Sequence, residues 1–340
     1  MAEASGTDGP SLVPKRVLIV RTGAIGDVTN ALVLAEALKA TGQISQLGWV
    51  VHPLCVPLVK GHPAVDRVHI FQRKGGLKEW LRLRRELRAE NYDLAIDAQR
   101  ILKSAILSRM SGASRSLGFD PGRSKEGSWL FHSERISPSG GTHMVDWYLE
   151  FAEALGLKDP KPRRRLPVDP TAESWATDFV RNLNSVSKSE VTPLCVHIGA
   201  SKLANRWAPE RYGELMLRLQ EKSLGPVVLT GGSGDRMDAD QALKVAQPDQ
   251  DLVGHTSLPQ LISLLRRCRV WVGCDTGPMH LAAALNCPVV ALFGPSEPAR
   301  TGPYGEGHQV LGRQPGGERV AMDEIPVDKI LDATSRACTT

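Results

Sequence analysis

Short runs of β-branched and other apolar residues alternate with longer amphipathic stretches along almost the whole chain. This alternation is typical of parallel sheets built from βαβ units. Eight strands are predicted, at residues 16–21, 47–51, 67–71, 93–97, 193–199, 226–231, 270–275 and 288–294. Because the pattern restarts in the second half, we predict an α/β protein with two Rossmann-like domains.

A proline-rich segment separates the two halves. Residues 158–170, KDPKPRRRLPVDP, hold four prolines and five basic residues in thirteen, a composition that cannot hold a helix or a central strand. We therefore predict a linker at 158–170, between an N-terminal domain at 15–157 and a C-terminal domain at 171–325. Residues 1–14 have the composition of a disordered tail, and 326–340 hold a short amphipathic helix.

Composition excludes several classes of protein. No segment approaches the ~18 consecutive apolar residues that cross a bilayer, and the N-terminus lacks the order of a signal peptide, so we expect a cytoplasmic protein without a transmembrane segment. The six cysteines form no C-x-x-C pair and have no histidines at zinc spacing, which predicts reduced thiols and no metal site. A net charge of +5 on 340 residues does not call for a nucleic-acid partner.

The positive charge is concentrated in one stretch. Residues Arg73 to Arg88 include seven basic and two acidic side chains. A solvated helix face explains this run as well as a functional role does. The functional alternative is contact with an anionic partner at a membrane surface, where each Lys or Arg contributes about 1 kcal/mol.

The first predicted strand ends in R-T-G-A-I-G-D and runs into a helical pattern. Glycines at such a turn let the backbone approach a ligand, and a helix N-terminus favours an anion. The spacing is not G-x-G-x-x-G, and Val51 and His52 stand where a dinucleotide site needs an acidic residue, so a site for NAD is disfavoured. Asp27 is either an ordinary helix cap or a base that accepts a proton from an attacking hydroxyl.

A second candidate turn follows the strand at 270–275. Asp275 or Thr276 caps a helix with proline in its first turn, so free N–H groups there could bind a diphosphate without a metal. Good capping alone explains the turn equally well, and His280 is by itself more typical of packing than of ligand contact.

Two further loops, Gly199 to Trp207 and Gly231 to Asp235, follow strands of the same half. Three such loops on one sheet edge favour a ligand site.

Several segments, in this order, resemble the family 9 glycosyltransferases, which include the lipopolysaccharide heptosyltransferases. The resemblance runs from about Lys15 to the C-terminus, and its most specific part is D-T-G-x-x-H followed by F-G-P-[ST]. D-A-Q-x-x-x-K-S-A is more similar to heptosyltransferase I than to its sister enzymes. The matching segments are RTGAIGDVTNALVLAEAL, YDLAIDAQRILKSAILSRMSGA, THMVDWYLEFAEALGL, HIGASKLANRWAPERY and GCDTGPMHLAAALNCPVVALFGPSEPARTGPYG.

The resemblance implies a GT-B fold, with the parallel sheets of the two domains facing across a cleft. It implies ADP-L-glycero-D-manno-heptose as donor and, as acceptor, a Kdo residue of the lipopolysaccharide inner core on Kdo-lipid A at the cytoplasmic face of the inner membrane. It also implies an inverting displacement and no cofactor. Asp27 matches the general base. The implied donor-binding residues are Lys202, Arg206, Asp235, Asp275, Thr276, Gly277 and His280. The implied acceptor-binding residues are Thr22, Gly23, Arg100, Lys103 and Arg123.

One position departs from the family pattern. The lysine that commonly precedes the W-x-P tryptophan by two positions is Asn205 here, so Arg206 or Lys202 is the candidate phosphate cation. Alternatives to heptosyltransferase I are a second heptosyltransferase or other core transferase, a non-hydrolysing epimerase, and a binding protein without turnover.

Overall fold

The computed structural model describes residues 14–187 and 192–339. The predicted N-terminal tail therefore lies, apart from Pro14, outside the described residues. The chain divides into two compact units. Within the described residues, the first unit takes in 14–23, 31–141 and 145–163, and the second takes in 24–30, 142–144, 164–187 and 192–339.

The first unit contains a parallel sheet in the order β3-β2-β1-β4-β5-β6. Its strands are β1 Arg16–Val20, β2 Gln46–Val51, β3 Arg67–Ile70, β4 Leu94–Asp97, β5 Arg115–Phe119 and β6 Glu134–Ile136. The helices of this half are α1 Ile25–Ala40, α2 Val56–Val59, α3 Gly76–Ala89, α4 Leu102–Met110 and α5 Met144–Ala154. The first turn of α1 belongs to the second unit.

The second unit contains a parallel sheet in the order β12-β11-β10-β7-β8-β9. Its strands are β7 Leu194–His197, β8 Val227–Thr230, β9 Gln250–Asp251, β10 Val270–Cys274, β11 Val289–Phe293 and β12 Gln309–Gly312. The helices are α6 Pro170–Ser187, α7 Pro209–Glu221, α8 Arg236–Ala242, α9 Leu258–Leu265, α10 Gly277–Ala284, α11 Pro298–Thr301 and α12 Val327–Ala337. Residues 160–169 form neither helix nor strand.

The eight predicted strands are confirmed, together with the α/β class. Central strands such as β4, β7 and β10 are buried along their whole length, which is why they read as continuous apolar runs. The sequence pattern missed β5, β6, β9 and β12. Three of these are short or only partly buried strands, and β5 contains Gly118, where the ring of His132 leaves no room for a Cβ.

Both sheets reverse their strand order at an equivalent point. The reversal falls between β1 and β4 in the first unit and between β7 and β10 in the second. Ligands of open α/β sheets bind outside the carboxyl ends of the strands at such a point. The segments that follow these four strands are therefore the places to look for a site.

Candidate active site

Asp27 lies in the first turn of α1, just after β1. Its Oδ2 atom accepts a hydrogen bond from the Ala24 backbone N–H at 3.3 Å, so the carboxylate does cap the turn. Its charge also acts on two other side chains of the second unit, because it favours higher pKa values for Asp275 and His280. Asp27 therefore caps the first turn of α1 and also acts on groups at the α10 turn.

His280 is a buried, neutral imidazole on α10. Burial lowers its pKa to about 4, with the charges of His143 and Arg164 acting in the same direction. Its Nδ1 atom lies 3.2 Å from Nδ2 of Asn30. Because an amide nitrogen only donates, Nδ1 is the acceptor and the ring proton resides on Nε2. The Nε2 atom lies 4.0 Å from Oδ1 of Asp275.

Glycine at position 26 is required by packing in this unit. A Cβ there would lie 2.2 Å from Cδ2 of His280. The second glycine of the G-x-x-G-D motif, Gly26, therefore leaves room for the imidazole ring of His280. Gly277 is similarly confined, since its Cβ would lie 2.9 Å from Cβ of Ile25.

Asp275 follows β10 and is surrounded by polar groups. Burial raises the pKa of its carboxyl group, and the charge of Asp27 acts in the same direction. The side chains of Ser296, Lys202 and Arg300 oppose that rise. Three side chains that stabilise a negative charge thus converge on Asp275.

The N-terminus of α10 has donors with no capping side chain. Thr276 is the N-cap residue, but its side chain makes no capping hydrogen bond. Its Oγ1 atom is buried and has no hydrogen-bond partner among the described residues. Capping therefore does not account for this threonine. The free N–H groups of the first turn and the hydroxyl form a suitable site for a phosphate group.

The two candidate phosphate cations, Lys202 and Arg206, lie in the loop after β7 but have different environments. Arg206 donates from Nη2 to Asp235 at 3.0 Å, from Nη1 to Asp238 at 2.5 Å and from Nε to the Ala200 carbonyl at 2.9 Å. Lys202 is exposed and makes no ion pair within the described part of the chain. Its charge nevertheless reaches Asp275, so Lys202 is the better placed of the two to meet a phosphate.

Asp235 is held firmly in the loop after β8. Its Oδ2 atom accepts the Gly232 N–H at 2.9 Å, and Oδ1 accepts from Arg206. Gly199 has φ +94°, and a Cβ there would lie 2.3 Å from Cγ of Asp235. The loops after β7 and β8 therefore meet through this carboxylate.

Sequence reasoning missed two residues that follow β11, one in the loop after the strand and one in α11. Ser296 and Arg300 both influence the Asp275 carboxyl group. Each lies within the segment FGPSEPAR, which carried part of the family resemblance. This segment is the sequence signal that could have identified both residues.

In the first unit, the ends of β1 and β4 are joined by Thr22 and Gln99. Gln99 Oε1 accepts both the Thr22 N–H at 2.8 Å and the Thr22 hydroxyl at 2.7 Å. Arg73 donates from Nη2 to Thr22 Oγ1 at 3.1 Å and lies against Gly23. The predicted residues Thr22 and Gly23 thus come together with Arg73, a cation that the sequence placed only in the basic segment.

Arg100 and Arg123 also come together in the first unit. Both guanidinium groups lie over the rings of Phe119 and Trp147, at 5.1 to 5.6 Å from the ring centroids. Arg100 donates to the Arg123 carbonyl at 3.3 Å, and its φ of +72° is unusual for a residue with a side chain.

The charge of Arg123 is shared with two carboxylates. Arg123 pairs with Asp120 at 2.5 Å and with Glu150. Lys103 is exposed in the first turn of α4 and makes no side-chain contact with these groups in the described residues. The structure therefore groups two of the three predicted acceptor cations and leaves Lys103 separate.

The basic segment forms most of α3. Arg82 is bound to Glu79 at 2.8 Å, Glu86 at 2.5 Å and the Ile70 carbonyl at 2.5 Å, and these carboxylates raise its pKa. Arg84 and Arg85 are exposed. Arg82 is exposed as well, but its charge is paired with two carboxylates of its own helix.

The described residues offer neither a metal-binding cluster nor a membrane-spanning helix. They contain no group of three or more histidine, cysteine or carboxylate side chains arranged to hold a metal ion. They also contain no helix that is long and apolar enough to cross a membrane.

The chain is similar to known glycosyltransferases over most of its length. Residues 80–324 match the model of glycosyltransferase family 9 (heptosyltransferase). The lipopolysaccharide heptosyltransferase 1 of Pseudomonas aeruginosa is 31% identical over 313 residues, covering 87% of this chain and 83% of that protein.

Solved structures support the same relationship. The structure of Escherichia coli ADP-heptose lipopolysaccharide heptosyltransferase II matches with a TM-score of 0.79 and 25% identity, over 95% of this chain and 98% of that one. The E. coli heptosyltransferase WaaC with ADP matches with a TM-score of 0.76 and 26% identity, over 95% and 99%. The GT-B fold class is thereby confirmed. The chain belongs to glycosyltransferase family 9, the heptosyltransferase family, and is a glycosyltransferase.

Proposed function

We propose that this enzyme transfers L-glycero-D-manno-heptose from ADP-heptose to a Kdo residue of the lipopolysaccharide inner core, with inversion at the anomeric carbon. The observation that carries the proposal is the convergence at the α10 turn of the second unit. An uncapped helix N-terminus, the Thr276 hydroxyl and the charges of Lys202 and Arg300 surround Asp275, and the charge of Asp27 acts on the same group. The α10 turn thus offers a binding place for an anionic donor, and the candidate base Asp27 is next to it.

The donor diphosphate binds at the N-terminus of α10 in this proposal. Thr276 and the first-turn N–H groups donate to its oxygens, and Lys202 offsets its charge. Asp235 contacts the nucleoside, held in position by Arg206. Two structures of one relative, the E. coli heptosyltransferase WaaC, contain ADP and ADP-2-deoxy-2-fluoro heptose, and they support the choice of an ADP-linked donor.

Asp27 acts as the general base. It takes the proton of the acceptor hydroxyl while that oxygen forms a bond to the anomeric carbon of heptose. The bond from the anomeric carbon to the phosphate oxygen breaks on the opposite face, and its electron pair leaves with ADP. The Asp275 region stabilises the charge that develops on the leaving diphosphate, an electrostatic effect that is usually a large part of catalysis.

The acceptor-binding groups are assigned to the N-terminal domain, residues 15–157. Thr22, Gly23 and Arg73 form one set, and Arg100 and Arg123 another, with Lys103 as a further cation on α4. The donor site is assigned to residues 171–325, and the enzyme is placed at the cytoplasmic face of the inner membrane. The exposed arginines of α3 support that placement, because anionic lipid surfaces attract such segments.

One experiment tests the reaction and its main alternative. The protein is incubated with ADP-heptose and either Kdo-bearing lipid A or the same acceptor already carrying one heptose, and the products are weighed by mass spectrometry. A gain of one heptose on the first acceptor alone supports the proposal. Transfer only to the second acceptor indicates a second heptosyltransferase, an alternative kept open by the likeness to heptosyltransferase II. Binding of ADP-heptose without turnover on either acceptor indicates a binding protein.

A further inference from the structure

Asp97 ends β4 in the first unit and is completely buried. The two oxygens of its carboxylate have different partners. Oδ1 accepts the backbone N–H groups of Gln99 at 2.8 Å and of Arg100 at 3.2 Å. Oδ2 lies 3.2 Å from Nε2 of His132. One carboxylate thus joins the turn after β4 to a histidine that is 35 positions away in the sequence.

His132 is enclosed by the protein. The exposed fraction of its side chain is 1%, and a Cβ at Gly118 of β5 would lie 2.1 Å from Cδ2 of the ring. Its Nδ1 atom is buried and has no hydrogen-bond partner among the described residues. Because a proton on Nδ1 would be a buried donor without an acceptor, the ring proton resides on Nε2, which donates to Asp97. An imidazole enclosed in this way acts on a substrate only through its neighbours.

The turn that Asp97 holds carries two groups assigned to the acceptor. Gln99 accepts the N–H and the hydroxyl of Thr22 through Oε1, and the guanidinium of Arg100 lies over the ring of Trp147. Arg100 has φ +72°, a conformation that residues with a side chain rarely adopt. Such a conformation persists where surrounding contacts enforce it. The direction of the Arg100 side chain therefore depends on what holds the turn.

The segment between β5 and β6 supplies these contacts. The Arg100 carbonyl accepts the Lys125 N–H at 2.8 Å and the Ser128 hydroxyl at 3.0 Å. The same segment contains His132, which donates to Asp97 at the start of the turn. His132 thus completes a set of hydrogen bonds that fixes both ends of the turn.

We propose that His132 is a positioning residue, which holds the Asp97 carboxylate so that the turn presents Arg100 and Thr22 to the acceptor. The inference rests on the proposed function, because that function assigns these two side chains to the acceptor. Without the donation from His132, the buried carboxylate loses a partner and is free to turn away from the two backbone N–H groups. A displacement of about 1 Å can cost ~100-fold in rate, so a small movement of the turn is enough to lower turnover.

Two amides that differ by one methylene group test the donation from Nε2. The side chain in His132→Gln is long enough to donate an N–H to Asp97, whereas that in His132→Asn is too short. We expect His132→Asn to lower kcat/KM for the acceptor by about ten- to hundredfold. The Kd of ADP, measured by calorimetry, should stay within about twofold of wild type, because the donor site is assigned to the other unit. His132→Gln should retain most of the wild-type kcat/KM.

Two kinetic results would contradict the inference. A wild-type kcat/KM in His132→Asn would show that the turn does not need the histidine. An equal loss in His132→Asn and His132→Gln would show that donation to Asp97 is not the property that matters.

His62 provides the matched control for the loss of a buried histidine in the same unit. Its Nε2 atom lies 3.4 Å from Oε1 of Glu36, and the side chains are 0% and 4% exposed. It precedes β3, whereas the turn held by His132 follows β4, so the two lie at opposite edges of the parallel sheet. His62→Asn should lower the thermal midpoint, as His132→Asn should, but leave kcat/KM for the acceptor unchanged.

This control separates positioning from stability. A loss of kcat/KM in His62→Asn equal to that in His132→Asn would make the kinetic effect a consequence of lowered stability and overturn the inference. Failure of His132→Asn to fold would make the histidine a purely structural group and overturn it as well.

Hydrogen exchange observes the turn without any acceptor. The two N–H groups bound to Asp97 should exchange about tenfold faster in His132→Asn than in wild type, His132→Gln or His62→Asn. Mass spectrometry of peptides that cover residues 94–104 follows this exchange. Unchanged exchange in His132→Asn overturns the inference.

The kinetic comparison uses whichever acceptor the wild type accepts, Kdo-bearing lipid A or its heptosylated form. Transfer to the heptosylated form alone would correct the proposed acceptor and leave the comparison of His132 variants intact. If wild type transfers heptose to neither acceptor while the turn exchanges faster in His132→Asn, the result supports the hold on the turn and counts against the proposed function.

Discussion

Nη2 of Arg206 lies 3.0 Å from Oδ1 of Asp235, and this pair decides which cation is available for the donor. The second nitrogen of the same guanidinium is bound to Asp238. An arginine that is paired in this way supports the loop that carries Asp235. It is poorly placed to follow a phosphate group, and Lys202 is left for that role.

Substitution of Lys202 and Arg206 by methionine should therefore have different effects. Lys202→Met removes an exposed cation, so we expect ADP to bind about ten- to hundredfold more weakly with an unchanged thermal midpoint. Arg206→Met leaves two carboxylates without their partner and should lower the midpoint as well. Calorimetric titration with ADP and thermal unfolding measure the two effects. Equal losses of stability in both variants would contradict this division of roles.

The stability of the second unit should fall on acidification because of His197. Burial lowers its pKa to about 4, against about 6.5 in the unfolded chain, so protons bind preferentially to the unfolded state. This contribution is fully present above pH 6.5 and is lost as the pH falls from 6.5 to 4. Between pH 7 and pH 5 the expected loss is about 2 kcal/mol.

Urea unfolding at both pH values measures this loss. His197→Gln should show a pH-dependent loss smaller than that of wild type by about the same amount. The exposed His255 provides the matched control, because His255→Gln should keep the wild-type dependence. An identical dependence in all three proteins would show that His197 is not the responsible group.

The sequence predicted the strands that are buried on both faces. Such strands, for example β7 and β10, are continuous apolar runs because every side chain along them is buried. It could not predict β9, which is two residues long and only partly buried. Among the candidate site residues, the motifs predicted Asp27, Thr276 and Lys202, whose roles stay predictions. They could not show that Arg206 is neutralised by carboxylates, since Asp238 is 32 positions away and only the folded loops bring the two together.

The arginines of α3 should differ in what they contribute. Arg84→Gln with Arg85→Gln removes exposed charge, so we expect a higher acceptor KM, more so at low than at high salt, with the donor KM nearly unchanged. Arg82→Gln should instead lower the thermal midpoint, because Arg82 is bound to Glu79 and Glu86. Steady-state kinetics at two ionic strengths checks the first statement. A salt-independent effect on both substrates would point to a disturbed fold.

Turnover should not require a divalent metal ion. The uncapped N-terminus of α10, Lys202 and Arg300 can offset the charge of the diphosphate without one. Protein treated with a chelator and then dialysed should therefore retain its wild-type kcat. The measurement is the rate of ADP release before and after addition of magnesium. Loss of activity with full recovery on adding magnesium would rule out this account of the diphosphate site.

Asp27→Asn tests the assignment of the catalytic base. Asparagine keeps the size of the side chain and can still cap the turn at Ala24, so the variant should fold. It cannot take the proton of the acceptor hydroxyl, and loss of general base catalysis typically lowers the rate by ~10²–10⁴-fold. We expect a kcat reduced by about that factor, with ADP affinity unchanged by calorimetry. Asp323→Asn, the same change at an exposed position, should retain full activity. If the folded Asp27→Asn protein turned over within a few-fold of wild type, Asp27 would serve only as a cap and another group would have to remove the proton.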